Sequence, residues 1–123
     1  MPILTEAQAR AILDKVIALS KADECTATLS GSTAGNIRFA LNNVSTSGIV
    51  DNTELSVQVA FGKRVGTASI NEFDDAALER VVRRAEDLAR LAPENPEFMP
   101  AIGPHAYRPS ATWDDATAAI TPE

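Results

Sequence analysis

Residues 54–70 read ELSVQVAFGKRVGTASI, and this stretch decides the fold. Its apolar residues alternate with small or polar ones, which is the period-two pattern of a strand with one buried face; they are Leu55, Val57, Val59 and Phe61. Gly62 and Lys63 interrupt this alternation, and it resumes from Arg64 to Ile70. The stretch therefore predicts a β-hairpin whose turn is Gly62-Lys63.

One helix is predicted before this hairpin and one after it. Thr5 and Gln8 form a capping box, and apolar residues at helical spacing predict a helix from Thr5 to Ser20. Asp74 is a suitable N-cap for the second helix, which has an apolar stripe and ends before Pro93. Because each helix has a single apolar stripe, each must bury that stripe against another element of the fold.

Two further strands are predicted upstream of the hairpin. One strand precedes the turn-forming residues 30–35, a second follows them up to Leu41, and residues 43–52 are predicted to be a polar loop. The prediction is an α+β domain over residues 1–92, with an antiparallel four-stranded sheet, two helices on one face, and the order α-β-β-β-β-α. Residues 93–123 hold six of the seven prolines and are predicted to be an extended connecting segment, with Met99, Ile102, Tyr107 and Trp113 docked on a surface.

The other face of the predicted sheet has small, mostly uncharged residues. Such a face indicates either that another domain, subunit or substrate strand packs on it, or that it is simply a polar exposed face. Arg38 and Asn42 would lie on this face. We predict that both contribute to a peptide or domain contact.

Composition limits the function classes. The formal net charge is −6, and the arginines at 80, 83 and 84 alternate with acidic residues, which favours a solvated helix face over direct nucleic-acid binding. No apolar run approaches the ~20 residues that span a membrane, and the N-terminus lacks a signal-peptide pattern. Cys25 is the only cysteine, so an internal disulfide is excluded. A cytoplasmic protein is expected.

No self-sufficient active site is predicted. His105 is the only histidine and has no second histidine one helical turn away, so no metal site is assigned. The GSTAG sequence at 31–35 lacks the Lys-Ser/Thr of a phosphate loop. Glu79 and Glu86 are predicted to lie on the solvated face of the second helix. We assign no catalytic residue and no metal ligand to this chain.

Several segments together resemble the N-terminal domain of the TldD/PmbA family, whose members are described as modulators of DNA gyrase and as metallopeptidases. They are RFALNN at 38–43, GKRVGTASIN at 62–71 and RAEDLAR at 84–90, followed by PENPE at 93–97. The resemblance covers nearly the whole chain. No single motif is diagnostic, but the ordered series is specific.

The resemblance implies a longer parent protein with zinc in an HExxxH motif, located in a C-terminal region that follows this domain. Thr121-Pro122-Glu123 reads as the start of a further helix, which fits that expectation. The implied partners are this C-terminal region, a second family member in a homo- or heterodimer, and an unfolded peptide substrate. Neither nucleic acid nor a membrane is an expected direct partner.

Three functional hypotheses follow. The first is an accessory N-terminal domain of a TldD/PmbA-type metallopeptidase, which helps enclose the substrate cavity and forms subunit contacts. The second is a non-catalytic binding or scaffold module, either standalone or part of a metal-free family member. The third, a gyrase- or DNA-associated protein, rests on the family's name alone, and the acidic charge balance argues against it.

Overall fold

A computed structural model describes residues 4–121. Three strands form one antiparallel sheet in the order β1-β2-β3, and two long helices cover one of its faces. In chain order the elements are α1 (Glu6–Leu19), β1 (Glu24–Ala40), β2 (Asn43–Phe61), β3 (Arg64–Ile70), α2 (Asp75–Leu91) and α3 (Asp115–Ala118).

Both predicted helices and the predicted hairpin are present. Thr5 and Gln8 form the expected capping box at the start of α1. Asp74 caps α2 by accepting from the backbone N–H of Ala77 at 3.0 Å. Strands β2 and β3 pair from Leu55↔Ile70 to Phe61↔Arg64, and Gly62 has a φ of +59° in the turn.

The predicted four-stranded sheet with the order α-β-β-β-β-α is wrong. Residues 30–35, predicted to be a turn, continue β1, and residues 43–52, predicted to be a loop, continue β2. The chain reverses instead at Leu41 and Asn42, with φ values of 51° and 60°. Two adjacent residues with positive φ suit the turn of a two-residue hairpin. One long β1–β2 hairpin therefore takes the place of the shorter strands, the turn and the loop that were predicted.

The core lies between the two long helices and the sheet. Alternate residues of β2 are fully or almost fully buried, together with Val16 of α1 and the apolar stripe of α2. Helix α2 approaches β3 so closely that only a glycine fits at position 66, beside the backbone of Ala85 and Ala89. This close contact fixes the position of α2 on the sheet.

The segment after α2 runs over one end of the opposite sheet face. The backbone N–H of Asn95 donates to the carbonyl of Lys63 at 2.9 Å, and that of Ala101 donates to the Glu24 carboxylate at 3.2 Å. Phe98 is half-buried and, with Thr26 and Gln58, lines a cavity of about 310 Å³. The chain's own segment therefore covers part of the face that was predicted to be small and uncharged.

The predicted docking residues of this segment are exposed. Four of its apolar side chains are exposed and do not dock on the described residues of this chain: Met99, Ile102, Tyr107 and Trp113. Phe98 makes the contact in their place.

Within residues 4–121 no helix is long and apolar enough to cross a membrane. Of the predicted helix start at Thr121–Glu123, residues 122 and 123 lie outside the described residues.

Candidate partner-binding arm

The β1–β2 hairpin extends well beyond the core. We call residues 30–54 the arm; it begins at the pair Ser30↔Glu54 and ends at the Leu41-Asn42 turn. At about 3.4 Å per residue, its eleven-residue first strand spans roughly 35 Å. Strand β3 pairs with β2 only as far as Leu55, so the arm is a two-stranded ribbon with no third strand.

The arm is solvated on both faces. All of its 25 residues are exposed except Gly48, which is half-buried, and Thr53, which is buried. Cross-strand side-chain bonds stabilise it: Thr33 donates to the Asp51 carboxylate at 2.6 Å, and Ser45 donates to the carbonyl of Arg38 at 3.0 Å. An isolated two-stranded hairpin is marginally stable in water, so a partner that covers the arm would stabilise it.

The tip of the arm is apolar. The exposed fractions are 75% for Phe39, 95% for Leu41 and 64% for Val44. Phe39 pairs with Val44 across the strands, next to a register shift between Arg38 and Phe39. Neighbouring apolar side chains exposed at the end of a projecting element are typical of a protein-interaction site.

Both predicted contact residues lie near this tip. Arg38 is in β1, opposite Thr46, and is the only cationic residue of the arm. Asn42 is in the turn itself, and not on a strand face as predicted. Both are exposed. The structure therefore places Arg38 and Asn42 at the same end of the arm, where a partner could contact both.

A groove runs between the arm and the C-terminal segment, and its lining includes Ile49 of β2. Its volume is about 710 Å³. One wall includes the consecutive arm residues 31–33. The other wall includes Trp113 and Ile120 of the C-terminal segment. The indole N–H of Trp113 donates to the Asp115 carboxylate at 2.7 Å, which orients the ring. Asp114 caps α3, and hydrogen bonds from the Thr117 hydroxyl and backbone lower the pKa of its carboxyl.

The start of β1, at the end remote from the arm, is tied to the rest of the sheet. The Asp23 carboxylate accepts from the N–H of Gly62 at 2.8 Å, and the N–H of Asp23 donates to the carbonyl of Ala60 at 3.0 Å. These two bonds join the residue before β1 to the β2–β3 turn. The chain therefore enters β1 from a position that is fixed on the sheet.

A buried carboxylate joins α2 to the connection between α1 and β1. Glu86 is 1% exposed, so its predicted place on the solvated face is wrong. It accepts from the backbone N–H of Lys21 at 2.6 Å and from the guanidinium of Arg83 at 2.7 Å. Burial alone would raise the pKa of Glu86, but these two donors outweigh it and hold the pKa below its ordinary value.

Arg83 completes this network. Its guanidinium also donates to the carbonyl of Leu19, at the end of α1, at 3.0 Å. The ion pairs within α2 include Arg83–Glu86 and Asp87–Arg90, each three residues apart. Arg83 therefore fixes the end of α1, and is not simply part of a solvated face.

The described residues do not fit a metal. Between residues 4 and 121 no three His, Cys, Asp or Glu side chains are grouped so that they could hold an ion. His105 lies exposed in the extended segment. We therefore derive no metal-dependent step for this chain.

Sequence reasoning missed the arm as an element, although the sequence contains signals for it. Residues 30–40 and 43–54 contain no proline, and five of the twelve residues from 43 to 54 are β-branched, which suits an exposed strand. The Asn42-Asn43 pair is a turn signal, because asparagine tolerates positive φ. Serine and glycine occur both in turns and in exposed strands, so residues 30–35 are interpreted from the sequence as a turn.

One protein-family model matches the sequence. It is described as PmbA/TldA metallopeptidase domain 1 and matches residues 27–89, a range that contains the arm, β3 and most of α2. No curated protein sequence matches the chain.

Solved structures of longer proteins share the fold. TldE from Thermococcus kodakarensis superposes with a TM-score of 0.65 at 16% identity over 84% of this chain. A candidate modulator of DNA gyrase from Bacteroides thetaiotaomicron superposes with a TM-score of 0.67 at 15% identity over 98% of this chain. This chain spans 23% and 28% of the lengths of those two proteins, respectively.

Proposed function

Because the chain belongs to the TldD/PmbA family, we propose that it is an N-terminal accessory domain of a metallopeptidase of that family. In this role it has no catalytic residue of its own, helps form the substrate cavity, and makes subunit contacts. We place it in the cytoplasm, as a domain over residues 1–92 and a connecting segment over 93–123 that leads to a C-terminal region holding the zinc.

The observation that carries this proposal is the exposed arm with its apolar tip. A 25-residue ribbon that buries almost nothing contributes little to the stability of its own domain. Its exposed Phe39, Leu41 and Val44 suit contact with another domain, subunit or peptide. Arg38 and Asn42 are each adjacent in sequence to one of these apolar side chains.

The test uses the full-length parent protein. Arg38→Ala removes the arm's only cation, and Asn42→Gly removes the amide while allowing the positive φ of the turn. We expect both variants to weaken subunit assembly, measured by sedimentation, or the cleavage of an unstructured peptide. Thr28→Ala is the matched control, because Thr28 is exposed on the same strand but outside the arm. Unchanged assembly and cleavage in both variants would contradict the proposed role of the tip.

The same arm supports a second candidate, a non-catalytic binding or scaffold module. An exposed apolar tip serves such a module equally well. The two candidates predict different properties for the protein that is expressed from the complete gene. Stoichiometric zinc and peptide cleavage support the accessory domain, whereas a metal-free product that still binds its partner supports the scaffold module.

A further inference from the structure

The outer edge of β2 along the arm has no strand beside it within residues 4–121. Strand β3 leaves β2 after the pair Leu55↔Ile70, and β1 pairs with the other side of β2. A free strand edge of this kind suits an extended peptide, because the backbone of the peptide can continue the sheet.

Alternate residues of this edge direct their backbone groups outward. The carbonyl of Ala60 accepts from the N–H of Asp23, so Ala60 faces the β1 side. The register between β1 and β2 is unbroken from there back to residue 46, and the direction of the backbone groups alternates along a strand. The even-numbered residues therefore face β1. The odd-numbered residues from 47 to 53 direct their N–H and C=O groups to the open side.

This edge lacks the features that normally prevent strand pairing. Residues 43–54 contain no proline and no lysine. Thr46, Ser47 and Gly48 have small side chains, so a strand of almost any sequence can approach the edge. Backbone pairing alone would thus give affinity with little sequence preference.

A polar notch lies at one end of the edge, where β3 leaves β2. Its volume is about 270 Å³, and its lining includes Asn52, Glu54, Ser69 and Asn71. Within residues 4–121, Glu54 is the only charged residue of this lining, and its exposed carboxylate has no ion pair. Carboxylate, amide and hydroxyl oxygens can all accept from an ammonium or guanidinium group. The charge of the notch therefore favours a basic side chain.

We propose that this edge binds an unfolded basic peptide as an added strand antiparallel to β2, with a lysine or arginine opposite Glu54. The peptide begins at the notch, because β3 occupies the edge from Leu55 onward, and it runs toward the tip of the arm. Its basic residue forms a non-hydrogen-bonded pair with Glu54, the arrangement in which two cross-strand side chains approach most closely. The next residue of the peptide exchanges backbone hydrogen bonds with Thr53.

The inference rests on the proposed function in taking this peptide as a substrate. Its test measures binding to the 123-residue chain and uses neither metal nor cleavage. Binding without any cleavage by the full-length protein would contradict the proposed function and leave this inference standing. Absence of binding overturns this inference and leaves the accessory role to the assembly and cleavage assay.

The first experiment tests the charge. The probe is the peptide acetyl-KTSTTVST with a fluorophore on its C-terminal amide, and binding is followed by fluorescence anisotropy. Glu54→Gln should weaken binding about fivefold, the most that a cross-strand ion pair supplies. A peptide with norleucine in place of lysine should bind this variant and the unsubstituted chain equally.

Glu79→Gln is the matched control, because it removes an exposed carboxylate from α2 and leaves the notch unchanged. It should bind the lysine peptide as the unsubstituted chain does. Failure of the lysine peptide to bind, or the same effect of Glu54→Gln on both peptides, overturns the inference.

Methylation of the peptide backbone tests the strand pairing on the unsubstituted chain, so misfolding cannot confuse the result. Methyl groups on the nitrogens of the second and sixth peptide residues block the N–H groups that face Thr53 and Ile49. They should weaken binding at least about tenfold. Methyl groups on the third and fifth residues replace N–H groups that point away from β2, and should weaken it less than about twofold. Equal weakening by both pairs of methyl groups overturns the inference.

The same titration on the full-length protein identifies the occupant of the edge. The lysine peptide should bind the full-length protein within about threefold of its affinity for the 123-residue chain. Loss of binding would show that the C-terminal region or a second subunit covers the edge, and would overturn the inference.

Discussion

The backbone of β3 at Gly66 lies directly against the backbone of α2 at Ala89. A Cβ on Gly66 would lie 2.3 Å from the nitrogen of Ala89 and 2.2 Å from the carbonyl oxygen of Ala85. Neither atom can move without shifting the helix, because both belong to its backbone. The absence of a side chain at this position therefore decides how closely α2 packs on the sheet.

Gly66→Ala should consequently destabilise the domain by about 3 kcal/mol or more, the upper end of the range for overpacking a core. The free energy of unfolding from urea titration measures this. Gly103→Ala is the control, because a Cβ there meets no atom within 4 Å, and its stability should stay within about 0.5 kcal/mol of the unsubstituted chain. Equal stability of the two variants would show that α2 packs less closely than described.

Glu86→Gln tests the buried network between α2 and the end of α1. The amide keeps the shape of the side chain but removes the charge that pairs with Arg83 and accepts from the N–H of Lys21. We expect a loss of about 2 kcal/mol in the free energy of unfolding. Glu79→Gln, on the exposed face of the same helix, should change it by less than about 0.5 kcal/mol. A similar small effect at both positions would mean that the Glu86 network contributes little.

The lowered pKa of Glu86 makes part of the stability depend on pH. Because the folded-state pKa lies below the unfolded value of about 4.3, the carboxylate stabilises the fold above that value, and this contribution is lost as pH falls through the folded-state pKa. The difference in unfolding free energy between the unsubstituted chain and Glu86→Gln should therefore be largest near pH 7 and shrink at acidic pH. Urea titrations from pH 7 to pH 3 measure it. A difference that stays constant over this range would contradict the pKa shift.

The sequence was most informative where periodicity and capping agree. Both long helices and the β2–β3 hairpin have buried faces, so hydrophobic spacing determines them and the sequence predicts them well. The arm buries no face, so alternation gives no signal there, and residues 30–35 were wrongly predicted to be a turn. Glu86 was also predicted wrongly, because its burial depends on Lys21, which is 65 positions away in the chain. Arg38 and Asn42 are predicted from the small, mostly uncharged sheet face on which they would lie, and the structure adds that both are next to apolar residues at the tip of the arm.

Cys25 offers a test of how β1 packs against the core. Its thiol is half-buried, and burial is the main cause of its raised pKa; the nearby Glu86 carboxylate adds to this, and a hydrogen bond with Ser20 opposes it. A raised pKa means less thiolate at pH 8, so iodoacetamide should alkylate Cys25 at least about fivefold more slowly than an exposed cysteine. Cys25→Ala with Thr28→Cys supplies that comparison, because Thr28 is exposed three residues further along the same strand. In urea the two rates should converge, since unfolding removes the burial. Equal rates in the folded state would show that β1 does not pack against the core at Cys25.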